Sequence, residues 1–189
     1  MKKFLFLIIL LTLITACSKK EYILLQDIPD NYSLKDAKAD KCVVFENSDI
    51  TSGKSIWDSF VKTTSEGKVS AVRLGYYYTL DDPSRYSKEY YDEIKDDYPV
   101  LYMQDLSFDG NKYFIEFIED GQLRSKEYSY LMKYDGKPKS PSATFAEYTF
   151  YVLVDDNTVT WDEIERGMLS SKLGDAIDHV KVYSDYIWK

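Results

Sequence analysis

Cysteine and histidine are scarce in this chain, which holds two cysteines and one histidine among 189 residues. The usual zinc sites draw their ligands from several Cys and His, and Ser-His-Asp or Cys-His catalysis needs an imidazole beside the nucleophile. His179, Cys17 and Cys42 cannot supply the usual zinc set. We therefore predict no metal, no cofactor and no catalytic residue from this inventory.

Glycine and long apolar runs are scarce as well. The eight glycines are spread mostly over predicted turns, and no Gly-rich loop is followed by Lys and Ser or Thr, so the pattern of a phosphate-binding loop is missing. The longest apolar run, Phe4 to Ile14, has 11 residues. A membrane-spanning helix needs about 20 such residues, so this run is not predicted to be a permanent span.

The first residues have the layout of a secretory signal. Lys2 and Lys3 precede the apolar run, and the small residues Thr15 and Ala16 follow it. The stretch "ITAC", which ends at Cys17, resembles the lipobox of bacterial lipoproteins. This resemblance implies that the chain is cleaved just before Cys17 and that the Cys17 thiol receives a diacylglyceryl group. The alternative is an ordinary secreted protein in which Cys17 is incidental.

The expected cleavage divides the chain into three parts. Residues 1–16 are predicted to be the signal peptide, 17–32 the lipidated N-terminus and a short tether, and 33–189 a single domain. Two acyl chains hold a protein on a membrane for practical purposes. The apolar "YILL" within the tether could dock on the domain instead. With Cys17 lipidated, Cys42 has no partner for an internal disulfide, and its setting in "CVVFE" predicts a buried thiol.

The chain is acidic, with a formal net charge of −8. Removing residues 1–16 takes away two lysines and leaves 22 basic residues against 32 acidic ones, a net charge of −10. This balance argues against a nucleic-acid partner, because phosphate neutralisation dominates such binding. It also disfavours broad contact with anionic lipid, so we expect the domain to stand off the membrane. Lys19 and Lys20 are the exception, worth about 1 kcal/mol each near anionic headgroups.

Three hydroxyl residues mark helix starts. Ser33, Ser55 and Thr160 each precede an acidic residue by three positions, which is the spacing of a capping box. Apolar residues four apart follow Ser55 and form one stripe, which is typical of a helix packed on a core.

Strands are indicated by period-two runs rich in aromatic and β-branched residues, which include "VSAVRLGYYYTL", "EYTFYVLVDD" and "HVKVYSDYIW". Asp109-Gly110 and Asp120-Gly121 each separate two such runs, and Asp-Gly is a strong signal for a two-residue type I′ turn. Residues 100–134 are therefore predicted to form a three-stranded antiparallel meander, whereas Gly53 carries no such hairpin requirement. The predicted fold class is α+β: an antiparallel sheet with an Asp-Gly-linked meander and two to four helices packed on it.

Several stretches of the body, among them "YSLKDA", "YSYLMKYDG" and "YTFYVLVDDNTVTWDEIERGMLSSKLGDAIDH", resemble an uncharacterised family of extracytoplasmic proteins, often lipoproteins, of low-GC Gram-positive bacteria. The resemblance implies a location outside the cytoplasm and carries no activity with it.

Carboxylates are the only plentiful reactive groups. Seven acidic residues lie between Asp81 and Asp97, and such a cluster could in principle bind a hard cation. Its spacing matches no known metal motif, so a solvated helix face and loop is the favoured interpretation. A glycosidase would need two carboxylates facing each other across a cleft, which sequence alone cannot reveal.

Tyrosine is unusually frequent, with 18 residues, and Tyr76, Tyr77 and Tyr78 are consecutive in a predicted strand. Alternation places Tyr77 on the opposite face from the other two. Exposed tyrosines suit the recognition of glycans and proteins, whereas buried ones merely fill a half-covered sheet. We predict a lipid-anchored cell-surface protein, a non-catalytic binding module with a protein or glycan partner and Tyr76 to Tyr78 as binding residues. The alternative is a carboxylate-based hydrolase of cell-envelope glycans.

Overall fold

Two antiparallel-dominated sheets and four α-helices form the protein in a computed structural model, which describes residues 23–172 and 174–189. They confirm the predicted α+β class. The helices among the described residues are α1 (Leu34–Ala39), α2 (Lys54–Ser65), α3 (Lys88–Ile94) and α4 (Trp161–Leu169). The strands are β1 (Val43–Glu46), β2 (Asp49–Ser52), β3 (Ser70–Tyr78), β4 (Val100–Phe108), β5 (Tyr113–Glu119), β6 (Gln122–Tyr128), β7 (Tyr130–Gly136), β8 (Phe145–Val154) and β9 (Val180–Trp188).

The strands divide into a large sheet of order β2-β1-β3-β4-β5-β6 and a small sheet of order β7-β8-β9. All pairings are antiparallel except that of β1 with β3. The two sheets face each other across the main core, with α2 at one side. We call the face of the large sheet that points to the small sheet its inner face.

The main core lies between the inner face and the small sheet. Leu74, Leu106 and Ile115 of the large sheet pack there with Leu153 and Val182 of the small sheet, and all five side chains are fully buried. Burial of this kind contributes about 1.5–3 kcal/mol for each large apolar side chain. Helix α4 covers the far face of the small sheet through its buried Ile164.

The segment before β1 covers the outer face of the large sheet. Leu25, which belongs to the "YILL" stretch, is buried and contacts β4, β5 and β6 through the 3₁₀ turn that it begins. Further along, α1 buries Ala37 against β1 and β3. Leu25, inside the stretch predicted as a tether, therefore docks on the domain. The predicted leader, lipobox and Cys17 lie outside the described residues.

Helix starts follow the capping signals at two of three positions. Ser33 and Thr160 both cap their helices through the predicted capping boxes, with Asp36 and Glu163 as the acidic partners. Ser55 is not a cap, because α2 begins one residue earlier and its N-cap is Gly53 in the left-handed conformation. The prediction failed there because the backbone, rather than a side chain, turns the chain into the helix.

The two Asp-Gly pairs have different outcomes. Asp120 and Gly121 have φ values of 51° and 70° and form the predicted two-residue hairpin between β5 and β6. The β4–β5 connection instead spans residues 109–112, and only Gly110 in it has positive φ. The Asp109 carboxylate accepts hydrogen bonds from the backbone N–H groups of Asn111 and Lys112, both at 2.8 Å. That side-chain bonding favours the longer turn.

The predicted meander is confirmed for β4, β5 and β6 but ends at Tyr128, six residues earlier than expected. The chain then crosses to the small sheet as β7. Ser129 is the crossing point, where its backbone N–H and its hydroxyl both donate to the Asp155 carboxylate at 2.9 and 2.8 Å. No Gly, Pro, Asn or Asp marks this crossing in the sequence.

Candidate functional site

The three consecutive tyrosines occupy different environments on β3. Tyr76 lies on the inner face, where its ring stacks on Phe45 at 5.1 Å and its hydroxyl donates to the Val182 carbonyl oxygen at 2.9 Å. Tyr77 pairs with Leu101 and points to the other face, as predicted. Tyr78 is half-buried at the end of the strand. The three side chains therefore do not act as one unit.

A surface groove lies where the inner face of the large sheet extends past β9. Its volume is about 280 Å³, and it is lined by Tyr76, Tyr78, Tyr102, Gln104, Val180 and Lys181, which we call the tyrosine groove. Strands β3 and β4 form its floor, because their antiparallel register places Tyr102 opposite Tyr76 and Gln104 opposite Leu74. The beginning of β9 forms its wall.

Two tyrosine rings dominate this groove. The rings of Tyr78 and Tyr102 meet edge to face with their centroids 6.1 Å apart. Tyr102 is 56% exposed, so most of its ring is open to a ligand. Burial raises the pKa of the Tyr78 hydroxyl, which therefore stays protonated near neutral pH. Each ring supplies an apolar face and a hydroxyl that donates and accepts hydrogen bonds.

Polar groups in the groove are available to a ligand. Among the described residues, none makes a hydrogen bond with the hydroxyls of Tyr78 and Tyr102 or with the Gln104 amide. An amide side chain adds two donors and one acceptor. The groove thus combines apolar rings with several hydrogen-bonding groups that the fold itself leaves to solvent.

Lys181 lines one edge of the groove, but its ammonium lies on the far face of the small sheet, the face that α4 covers. Its ammonium lies 4.6 Å from the centroid of the Phe150 ring, which is a cation–π distance. No carboxylate among residues 23–172 and 174–189 forms an ion pair with Lys181. Desolvation lowers the pKa of this lysine, although its side chain remains exposed at the surface.

Carboxylates meet on the outer face of the large sheet rather than in the groove. Asp105 and Glu116 are cross-strand neighbours that line a second cavity of about 240 Å³. Asp105 accepts two hydrogen bonds of 2.7 Å from the Arg73 guanidinium. The two carboxylates lie side by side on one sheet face, whereas glycosidase carboxylates face each other across the bond that they cleave.

Cys42 and His179 are the remaining candidates for nucleophile or base chemistry. Cys42 is fully buried beside Ala37 and Val44, and burial raises the pKa of its thiol, so the reactive thiolate is disfavoured. His179 directly precedes β9, and its Nδ1 lies 2.8 Å from the Ile177 carbonyl oxygen. Cys42 was predicted as a buried thiol, and the structure confirms it.

The acidic stretch from Asp81 to Asp97 is a short helix with flanking 3₁₀ turns, and its acidic residues are exposed. Arg85 pairs with Asp81 at 2.7 Å and Lys95 with Asp92 at 3.0 Å. In the part of the chain that the structure describes, no three Asp, Glu, His or Cys residues are grouped as metal ligands would be. Within the same residues, no helix is long and apolar enough to cross a membrane.

Sequence reasoning identified Tyr76 and Tyr78 but missed Tyr102, Gln104 and Lys181. Tyr102 and Gln104 lie on the same face of β4 as the core residues Leu106 and Phe108, because the four are spaced two residues apart. This period-two spacing was the signal that could have identified them as inner-face positions. Comparison of the chain with known protein families, curated proteins and solved structures finds no match.

Proposed function

We propose that this protein is a lipid-anchored, non-catalytic binding module on the extracytoplasmic face of the bacterial membrane, and that it binds a glycan in the tyrosine groove. The observation that carries this proposal is the set of unbonded polar groups on and beside the Tyr78 and Tyr102 rings. Sugar rings present C–H faces and many hydroxyls, so they need apolar surfaces and hydrogen-bonding groups at the same place.

The shape of the groove favours a glycan over a folded protein. Stable protein interfaces bury about 800 Å² on each partner around an apolar centre. The tyrosine groove is small and narrow, about 280 Å³, which suits one or two sugar residues.

The groove itself supports binding rather than hydrolysis. The residues that line it include no Asp or Glu, whereas a glycosidase needs two carboxylates at the scissile bond. Hydrolysis of envelope glycans would therefore need carboxylates from outside the groove.

A pull-down from the cells that make the protein tests the ligand assignment. The mature chain is immobilised, and retained material is analysed for glycans and for proteins. Tyr102→Ala should lose the retained glycan. Tyr90→Ala is the matched control, because Tyr90 is 51% exposed on α3 and does not line the groove. Equal retention of glycan by Tyr102→Ala would refute the assignment, and so would a wild type that retains protein but no glycan. Shortened glycan chains would indicate the hydrolase.

The anchor is tested separately. Cys17→Ala should release the protein from the membrane fraction or leave it as an uncleaved precursor, because the diacylglyceryl group has no other attachment point. Mass spectrometry of the native protein should find a lipid mass on Cys17 at the N-terminus. An unlipidated mature N-terminus elsewhere would contradict the anchor while leaving the groove untouched.

A further inference from the structure

Four exposed apolar side chains lie on two neighbouring segments of the domain, the residues just before Leu25 and the β5–β6 hairpin. Ile23, Leu24, Ile118 and Leu123, which we call the apolar patch, are between 41% and 60% exposed. Ile118 and Leu123 are directly opposed across the β5–β6 hairpin. Ile23 and Leu24 immediately precede Leu25, the residue that docks on β4, β5 and β6.

The N-terminal segment and the β5–β6 hairpin, which carry the patch, pack beside each other on the outer face of the large sheet. Leu25 and Ile28 line a cavity of about 560 Å³ together with Ile118, so the N-terminal segment and the hairpin are in the same neighbourhood. Apolar side chains grouped at a surface mark a site of contact with a partner or a membrane more often than single exposed ones do.

The short stretch of chain between the patch and Cys17 favours the membrane as the partner of the patch. Ile23 is six positions after Cys17, and an extended chain covers at most about 3.3–3.6 Å per residue, so Ile23 stays within about 22 Å of Cys17. The net charge alone predicted a domain that stands off the membrane; we propose instead that the apolar patch is inserted in the interfacial region of the membrane that holds the anchor. This proposal rests on the lipidation of Cys17 proposed above.

The charges around the patch determine which lipids favour the contact. Glu119 pairs with Arg124 at 3.6 Å, and Asp27 and Asp120 are exposed beside the patch. These acidic groups are repelled by anionic headgroups, so insertion must be driven by apolar burial rather than by charge. Docking should therefore persist at high salt and on zwitterionic lipid, and anionic lipid should weaken it at low salt.

The tether makes weak insertion effective. A link of a few residues holds its module at an effective concentration of about millimolar, so a patch too small to bind vesicles on its own can still be inserted in the anchored protein. Docking would also orient the domain. The patch is associated with the outer face of the large sheet and the tyrosine groove opens on the inner face, so the groove would point away from the membrane.

The test places an environment-sensitive fluorophore on the patch of the full mature protein in phosphatidylcholine vesicles. Leu123→Cys provides the labelling site, because Cys42 is buried and the Cys17 thiol carries the lipid. Leu169→Cys is the control: Leu169 is 83% exposed at the end of α4, on the far side of the small sheet. Mass spectrometry first confirms the lipid on Cys17.

We expect the emission of the Leu123 probe to rise about twofold or more, with quenching by lipids labelled just below the headgroups, because interfacial groups insert about 5–10 Å. The Leu169 probe should stay in water. A lipidated protein whose Leu123 probe stays in water would overturn the docking and leave the anchor intact. A probe signal that depends on protein concentration and persists in detergent would assign the patch to a second copy instead. A chain without lipid on Cys17 would overturn the anchor and the docking together.

An apolar-to-polar variant completes the test. Ile118→Ser in the labelled protein should lower the Leu123 probe signal without changing the lipid mass or the thermal melt appreciably, because Ile118 is a partly exposed side chain at the end of β5. Addition of anionic lipid at low salt should lower the same signal. An increase with anionic lipid would assign the contact to Lys19 and Lys20 and contradict the apolar mechanism.

Discussion

Gly53 approaches Cys42 so closely that a Cβ atom at position 53 would lie 2.6 Å from the Cys42 carbonyl oxygen and 2.8 Å from the Cα of Val43. The same residue has a φ of 77° and serves as the N-cap of α2. Its carbonyl oxygen accepts the first backbone hydrogen bonds of the helix, from Ile56 and Trp57. Gly53 therefore lies where the start of α2 touches the start of β1. A side chain at position 53 would overlap backbone atoms, which cannot rotate out of the way.

Gly53→Ala should lower the free energy of unfolding by about 2 kcal/mol or more, because left-handed strain of about 1–2 kcal/mol adds to overlap with a backbone that cannot rotate away. Gly67→Ala is the control: Gly67 has a φ of 70° and no atom within 4 Å of its added Cβ. Denaturant unfolding should rank Gly53→Ala well below Gly67→Ala. Equal stabilities would show that β1 and α2 are not in close contact there.

The case of Gly53 shows what sequence can and cannot predict. The α+β class, the outer caps at Ser33 and Thr160 and the hairpin at Asp120-Gly121 follow from signals within a few residues, and the structure confirms them. Gly53 had no local signal, since its constraint comes from Cys42, eleven residues earlier in the chain. Close approach between elements is a tertiary property, so the sequence indicated a milder requirement at Gly53 than at the two Asp-Gly pairs, whereas the structure shows a highly constrained position.

The buried Arg73–Asp105 pair predicts a large effect of removing one partner. Arg73 is 7% exposed and donates two hydrogen bonds to Asp105. Asp105→Leu should cost about 2–4 kcal/mol of unfolding free energy, because a guanidinium held in the sheet then loses that carboxylate. The double variant Arg73→Leu with Asp105→Leu should recover much of the loss. A double variant less stable than Asp105→Leu would contradict this account.

Tyrosine ionisation should make the protein sensitive to alkali. Burial raises the pKa of nine tyrosines among the described residues, which include Tyr76 in the core and Tyr128, whose pKa rises to about 12. A folded-state pKa above the unfolded value of about 10 contributes stability that is fully present below that pH and is lost as the pH rises. Absorbance of phenolate should therefore show only part of the tyrosines ionising before circular dichroism reports unfolding. Ionisation of all of them in the folded state would contradict the burial.

The site was harder to predict than the fold. Alternation correctly separated Tyr77 from Tyr76 and Tyr78, but it could not say that the small sheet covers Tyr76 and stops short of Tyr78. Tyr102 and Gln104 joined the groove only through the β3–β4 register, and Lys181 through the packing of one sheet on the other. Each of these relationships spans more than 20 residues of sequence.

The binding account is tested most directly by calorimetric titration of the mature chain with soluble fragments of the cell-envelope glycan. The wild type and Tyr90→Ala should bind with the same affinity. Tyr102→Ala should bind about fivefold or more weakly, because an exposed aromatic ring contributes about 1 kcal/mol to a stacked contact and 1.4 kcal/mol is a factor of ten. Equal affinities of Tyr102→Ala and Tyr90→Ala, or no heat of binding from any fragment with the wild type, would contradict a glycan site in the tyrosine groove.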